Sequence, residues 1–126
     1  MSKEQYESFR YIGQELHLAL RRLFTKNQFG DIQIQHRDDE SKKESLLFYS
    51  VYGVEVRLGV SKIAKRYHLN VQVGDKDSEH LETKVDTDIK ISRSKTGRVS
   101  PQCMDDIAVE SLDYLKEFYR ARKSKQ

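Results

Sequence analysis

The residues that come nearest to a catalytic pattern are Asp75 and, thirteen residues on, the tripeptide Asp88-Ile89-Lys90, with Glu15 in an earlier segment. Two carboxylates can hold a divalent cation while a lysine orients or polarises an attacking water, which is the chemistry of a metal-dependent nuclease. Alternation over 81–91 puts Asp88 and Lys90 on one strand face, where Glu82, Lys84 and Asp86 join them. In a chain that is 34% charged, an acid-x-Lys triplet on a wet strand arises readily without function, so a nuclease is the least favoured of three readings.

Histidine and cysteine chemistry are thinly represented. His36 precedes Asp38, Asp39 and Glu40, and His80 precedes Glu82, but neither run has the multiple spaced ligands of a strong metal site. His17 and His68 read as structural or solvent-facing. Cys103 is the only cysteine, so it forms no internal disulfide and no cysteine zinc site. Asp105 and Asp106 oppose any thiol activation at the helix start, and core packing is its expected role. Gly53, Gly59, Gly74 and Gly97 stand singly, without a phosphate-cradling glycine loop. The expectation is a non-enzyme with no metal and no cofactor.

Charge is distributed in blocks that the net value of +3 conceals. Asp75–Asp88 holds six acids and two bases; Lys90–Arg98 holds four bases and no acid; Lys116–Lys125 holds five bases and one acid. Lys62, Lys65 and Arg66 form a smaller cluster. Basic blocks suit a phosphate backbone, because each neutralised phosphate releases counterions. Lysine and arginine at a helix C-terminus also serve helix stability alone. Arg93, Lys95, Arg98, Arg120, Arg122 and Lys123 are the expected phosphate contacts.

These side chains hang on elements that periodicity defines. Phe9, Ile12, Leu16, Ala19, Leu20 and Leu23 recur at three and four, predicting a helix over 4–26, with Ser2 and Gln5 as a capping box and 27–30 as its end. Gly13 lowers helix propensity by about 1 kcal/mol relative to alanine, which suits a close approach to a neighbouring layer. Asp31–His36 alternates as a short strand, followed by a charged loop over 37–44. Ser45–Val60 reads as a hairpin about Tyr52-Gly53. That register sets Val51 opposite Val54, Tyr49 opposite Val56 and Leu47 opposite Leu58 on the core face. It also sets Phe48 beside Arg57 on the other face, a pair suited to stacking on a base or docking a protein. Tyr67–Val73 and Leu81–Ile91 alternate as two more strands, the latter with Leu81, Thr83, Val85, Thr87, Ile89 and Ile91 on one side. Ser100-Pro101 opens a last helix, striped by Met104, Ile107, Ala108, Leu112, Leu115, Phe118 and Tyr119.

Strict alternation means that one sheet face is wet, which favours antiparallel pairing. The expected fold is a single α+β domain over 1–126: an N-terminal helix, an antiparallel sheet of about five strands and a C-terminal helix, both helices on one face. Helix, strands, helix is an order shared at the coarsest level with double-stranded-RNA-binding domains; the strand count here is larger, and fold order carries no function by itself. No apolar run reaches the roughly 18 residues of a membrane span, and the start has no signal-peptide centre, so a cytoplasmic protein without membrane contact is expected. The leading functional expectation is a small regulatory protein that contacts nucleic acid or a nucleoprotein through the basic loop and helix end. The alternative is a protein-binding inhibitor or adaptor, of phage or mobile-element origin, acting through Phe48, Arg57 and the acidic hairpin within Asp75–Asp88.

Overall fold

The structure, a computed structural model, describes residues 5–28 and 31–124. After a short 3₁₀ turn at Gln5–Glu7 come α1 (Phe9–Lys26), β1 (Gln35–Asp39), β2 (Glu44–Val51), β3 (Val54–Ile63), β4 (Arg66–Asp75), β5 (Glu82–Ile89) and α2 (Pro101–Ser124). The strands form one antiparallel sheet in the order β1-β2-β3-β4-β5, each paired with its chain neighbour. Short turns suffice for such a meander, and the alternating sequence supplies one apolar face. Both helices cover that face and touch each other: α1 lies against β2 and β3, α2 against β3 and β4. The expected architecture is the observed one.

The core lies between these two layers. Ile12, Leu16 and Leu20 of α1 and Met104 and Ala108 of α2 meet Leu47, Val56, Leu58, Val60, Val71 and Val73 of the sheet in one continuous cluster. The β2–β3 hairpin has the register that alternation required, Val51↔Val54 through Leu46↔Gly59. Its turn residues Tyr52 and Gly53 have φ of 52° and 77°, the positive values that a two-residue hairpin of matching twist demands. A Cβ on Gly13 would stand 2.3 Å from the Oγ of the fully buried Ser45, so this glycine lets α1 descend onto β2.

Three local expectations are corrected. Helix α1 begins later than 4, capped by Ser8, whose Oγ accepts from the Tyr11 amide at 3.1 Å; Ser2 lies outside the described residues. The first strand covers Gln35–Asp39 rather than 31–36, and Arg37–Asp39 pairs with Leu46–Glu44 instead of looping out. Ile32 and Ile34 do pack on the core, but no strand ladder joins them to β2. Alternation reports which side faces the core; it does not report whether a neighbour is within hydrogen-bond reach. On β5 an extra residue interrupts the ladder, since Val85 pairs with Val71 but Thr83 with Gln72. This bulge at Lys84 reverses the facing of everything before it, so Thr83 joins the open face and hydrogen-bonds Gln72.

Candidate functional site

The register of the sheet decides which charged residues meet. At the start of β4, the Tyr67 hydroxyl donates to the Glu7 carbonyl and accepts from Arg93 Nη2 at 2.9 Å. Arg93 Nη1 donates to the carbonyls of Tyr6 at 2.6 Å and Gly97 at 2.9 Å, and its guanidinium stands over the Tyr67 ring at 5.7 Å. Arg93 therefore ties the 93–98 loop to the start of α1, its principal donors satisfied within the protein. Lys95 and Arg98, on the tight turn that Arg93 anchors, remain exposed. Burial raises the Tyr67 hydroxyl above its ordinary pKa, which the neighbouring Arg93 charge only partly offsets.

The β1–β2 and β3–β4 turns lie at this same end. Continuing the β2–β3 register one step past Glu44↔Ser61 brings Lys43 opposite Lys62, and the Lys62 amide donates to the Lys43 carbonyl at 3.0 Å. Lys62 Nζ is 5.7 Å from the centre of the Tyr67 ring that also carries Arg93. Lys43 and Lys62 line an open groove of about 360 Å3 with Ser8, Phe9 and Ala64. Across Ile63↔Arg66, the turn adds Lys65. Lys42, Lys43, Lys62 and Lys65 thus lie on the two turns at this end of the sheet, and Arg93 ties the loop that carries Lys95 and Arg98 to Tyr67 at the same end. None of the six forms an ion pair among the described residues. Two of the acids nearby are engaged elsewhere, Glu40 with Arg10, and Asp39 with Ser41 and the Lys42 amide, bonds that hold its carboxyl below the usual range; a third, Glu44, lies over Gly59.

In the other predicted basic block, Arg122 alone pairs with an acid among the described residues. Arg122 Nη1 pairs with Asp75, its Nη2 donates to the Tyr52 carbonyl at 3.0 Å, and the guanidinium covers the Tyr119 ring at 5.7 Å. Lys123 Nζ is 4.8 Å from the same ring, while Arg120 is exposed. Arg122 meets the end of β4 and Arg93 its start, eight residues away, so the two blocks are separated by about 26 Å at 3.3 Å per residue. They do not converge. The same geometry separates the nuclease residues: Asp88 pairs across from His68, seven residues and about 23 Å from Asp75. Glu15 lies on α1, behind the sheet face that carries Asp88.

Asp88 is itself engaged. His68 sits between Asp86 (Nε2 to Oδ1, 2.5 Å) and Asp88 (Nδ1 to Oδ1, 3.0 Å), and Arg66 approaches Asp88 at 3.4 Å. These hydrogen bonds, first from Asp86 and then from Asp88, raise the His68 pKa; reciprocally, His68 and then Asn70 lower that of Asp86. Phe48 lies on the open face beneath two guanidinium groups, Arg57 at 5.0 Å and Arg37 at 5.9 Å from its ring centre. Arg57 reaches Glu55 only at 3.6 Å, and its buried Nε has no hydrogen-bond partner. Cys103 is half-buried, with Sγ 3.8 Å from the Lys90 carbonyl.

The sequence pattern marks Lys95 and Arg98 as expected contacts and Lys62 and Lys65 as part of a smaller basic cluster, but it does not single out Lys42 and Lys43. The signal for Lys43 beside Lys62 was present in the hairpin register, which needed only to be extended past Ser45. No helix among the described residues is long and apolar enough to cross a membrane. Comparisons with protein-family models, with curated proteins and with solved structures find no match.

Proposed function

We propose that this is a small non-catalytic nucleic-acid-binding protein whose contact surface is the lysine-rich end of the sheet. One observation carries the reading: Lys43, on the β1–β2 turn, and Lys62 of β3 are joined by a backbone hydrogen bond and line one open groove whose other lining residues, Ser8, Phe9 and Ala64, include no acid. Two ammonium groups lining one groove repel each other unless an anion satisfies them. Lys42, Lys65, Lys95 and Arg98 extend the same surface, and spaced cations from separate loops match the repeating charge of a phosphate backbone. Most contacts of this kind fix position on the backbone and do not read bases.

Anisotropy of labelled duplex DNA and single-stranded RNA, measured over a series of salt concentrations, tests the assignment. Four phosphate contacts would give a slope of log K against log salt of about −4 on duplex and about −3 on a single strand. The Lys62→Glu/Lys95→Glu/Arg98→Glu variant should bind roughly 100-fold more weakly at low salt and flatten the slope by about three. The Arg120→Glu/Lys123→Glu variant should change affinity much less. Equal losses in the two variants, or no binding by the parent protein at low salt, would refute the reading.

A second reading is favoured by the open face, where an aromatic ring and two arginines with few internal partners resemble the centre of a protein interface. In this reading the protein is an inhibitor or adaptor. A complex that resists nuclease and moderate salt but is lost in Phe48→Ala would establish it in place of the first.

A further inference from the structure

Where α1 crosses the first two strands, polar groups form a chain through the edge of the core. The Nδ1 atoms of His17 on α1 and His36 on β1 are 3.1 Å apart, with ring centres at 5.2 Å. His36 Nε2 lies 3.0 Å from Asp38 Oδ1, and the Oγ of fully buried Ser45 donates to that same oxygen at 2.6 Å. A carboxylate oxygen only accepts, so the His36 proton resides on Nε2 and its bare Nδ1 lone pair is aimed at the second imidazole. A proton on His17 satisfies it along the line joining the two nitrogens, and a metal ion would do so once the rings turn to bring both lone pairs to one side of that line.

We infer that His17 and His36 form a two-histidine site for a divalent first-row transition metal, with Asp38 as the residue that orients His36. Imidazole nitrogens bind Zn²⁺ at about 2.0–2.1 Å, so nitrogens 3.1 Å apart subtend roughly 98° at an ion about 1.3 Å off the line joining them. That angle lies between square and tetrahedral coordination. The carboxylate behind His36 is the usual outer partner of a metal-bound histidine, fixing tautomer and ring orientation. Ser45 anchors that carboxylate, and the close approach of Gly13 to Ser45 holds α1, and hence His17, in place.

The surroundings suit a ligand-accessible site. An open groove of about 750 Å3 lined by His17, Arg21, Asp31 and Gln33 gives room for the waters that complete the coordination. Arg21 is the cation that opposes a metal here; it is exposed, and its long side chain can turn into solvent. No third His, Cys, Asp or Glu completes a metal-ligand group among the described residues. With two imidazoles and water as ligands, affinity should follow the Irving–Williams order, Cu²⁺ tightest, without response to Mg²⁺ or Ca²⁺.

The test is titration of the metal-free, untagged protein with Cu²⁺, Ni²⁺ and Zn²⁺, read by calorimetry and by the imidazole nitrogen resonances. One saturable site should appear, with the His17 and His36 Nδ1 signals shifting. It should be lost in His17→Gln and in His36→Gln, survive in His68→Gln, and weaken 10- to 100-fold in Asp38→Asn. Melting curves with and without metal keep the result readable if a variant is less stable, because only a binding-competent fold is stabilised by the ion. Absence of saturable binding, or binding that persists in both the His17 and His36 variants, would overturn the site in favour of a simple imidazole hydrogen bond.

Discussion

The two ends of β4 each carry an arginine from a basic block, and the fold uses the two blocks differently. At the start of the strand, Arg93 turns inward to Tyr6, Gly97 and Tyr67, and its neighbours Lys95 and Arg98 are left exposed. At the far end, Arg122 meets Asp75, at the head of the most acidic stretch of the chain, and Lys123 lies on Tyr119. The blocks Lys90–Arg98 and Lys116–Lys125 have equal net charge in the sequence. What separates them is the partner that the fold sets opposite. Among the described residues only Arg122 of the helix-end block has an acid opposite, so the proposed surface rests on where the cations stand and not on their count.

The contrast can be broken at its foundation by Gly13→Ala. Alanine favours a helix by about 1 kcal/mol, yet the new methyl would collide with Ser45, and overpacking of a buried contact typically costs 1–3 kcal/mol or more. A net loss of about 2 kcal/mol, seen as a fall in Tm on the order of 5–10 °C, is expected because α1 must lift from β2 beside the lysine-rich end. A stability equal to or above that of the parent would mean that the close approach is not required.

A smaller effect sharpens the comparison directly. Arg93→Ala removes three hydrogen bonds at a half-buried position and should cost about 1.5–2 kcal/mol in denaturant unfolding. Arg122→Ala disrupts a partly exposed ion pair and one carbonyl contact, and should cost under about 1 kcal/mol. Equal costs would erase the distinction between an arginine that builds its end of the molecule and one that decorates it.

The smallest effect concerns pH. The His68 pKa is raised, so the His68 contribution is fully present below about 6.5 and is lost as pH climbs through the folded value. Asp86 is lowered, so its share is present above about 3.9 and is lost as pH falls through its folded value. His17 acts in the opposite sense: its pKa is lowered, and protonation of the unfolded chain erodes stability below about 6.5. Resonance titration should find His68 above and His17 below the ordinary histidine value; the reverse order would contradict both environments.

Much of this was legible in the residues. The hairpin about Tyr52-Gly53 followed from alternation and turn chemistry, and the close contact at Gly13 from a glycine on an otherwise good helix. The strand at 31–36 was misplaced because Ile32 and Ile34 face the core without joining the ladder. The phase of β5 changed at Lys84 because a bulge leaves no compositional trace on a strand already crowded with charge. The candidate surface was half legible: Lys95 and Arg98 stood in an acid-free block, while Lys42, Lys43, Lys62 and Lys65 became part of it only once the turns were brought together.

By itself, then, the order of residues determined the two helices, the β2–β3 hairpin and β4, the apolar face of each and the antiparallel pairing, because periodicity and turn geometry are local properties of the chain. Only the tertiary structure decided that Arg93 is internal, that Arg122 has an acid opposite, that Asp75 and Asp88 stay apart, and that His17 faces His36. Each of these depends on Coulomb or hydrogen-bond contact between segments distant in sequence, and such interactions act over a few ångströms that only packing sets.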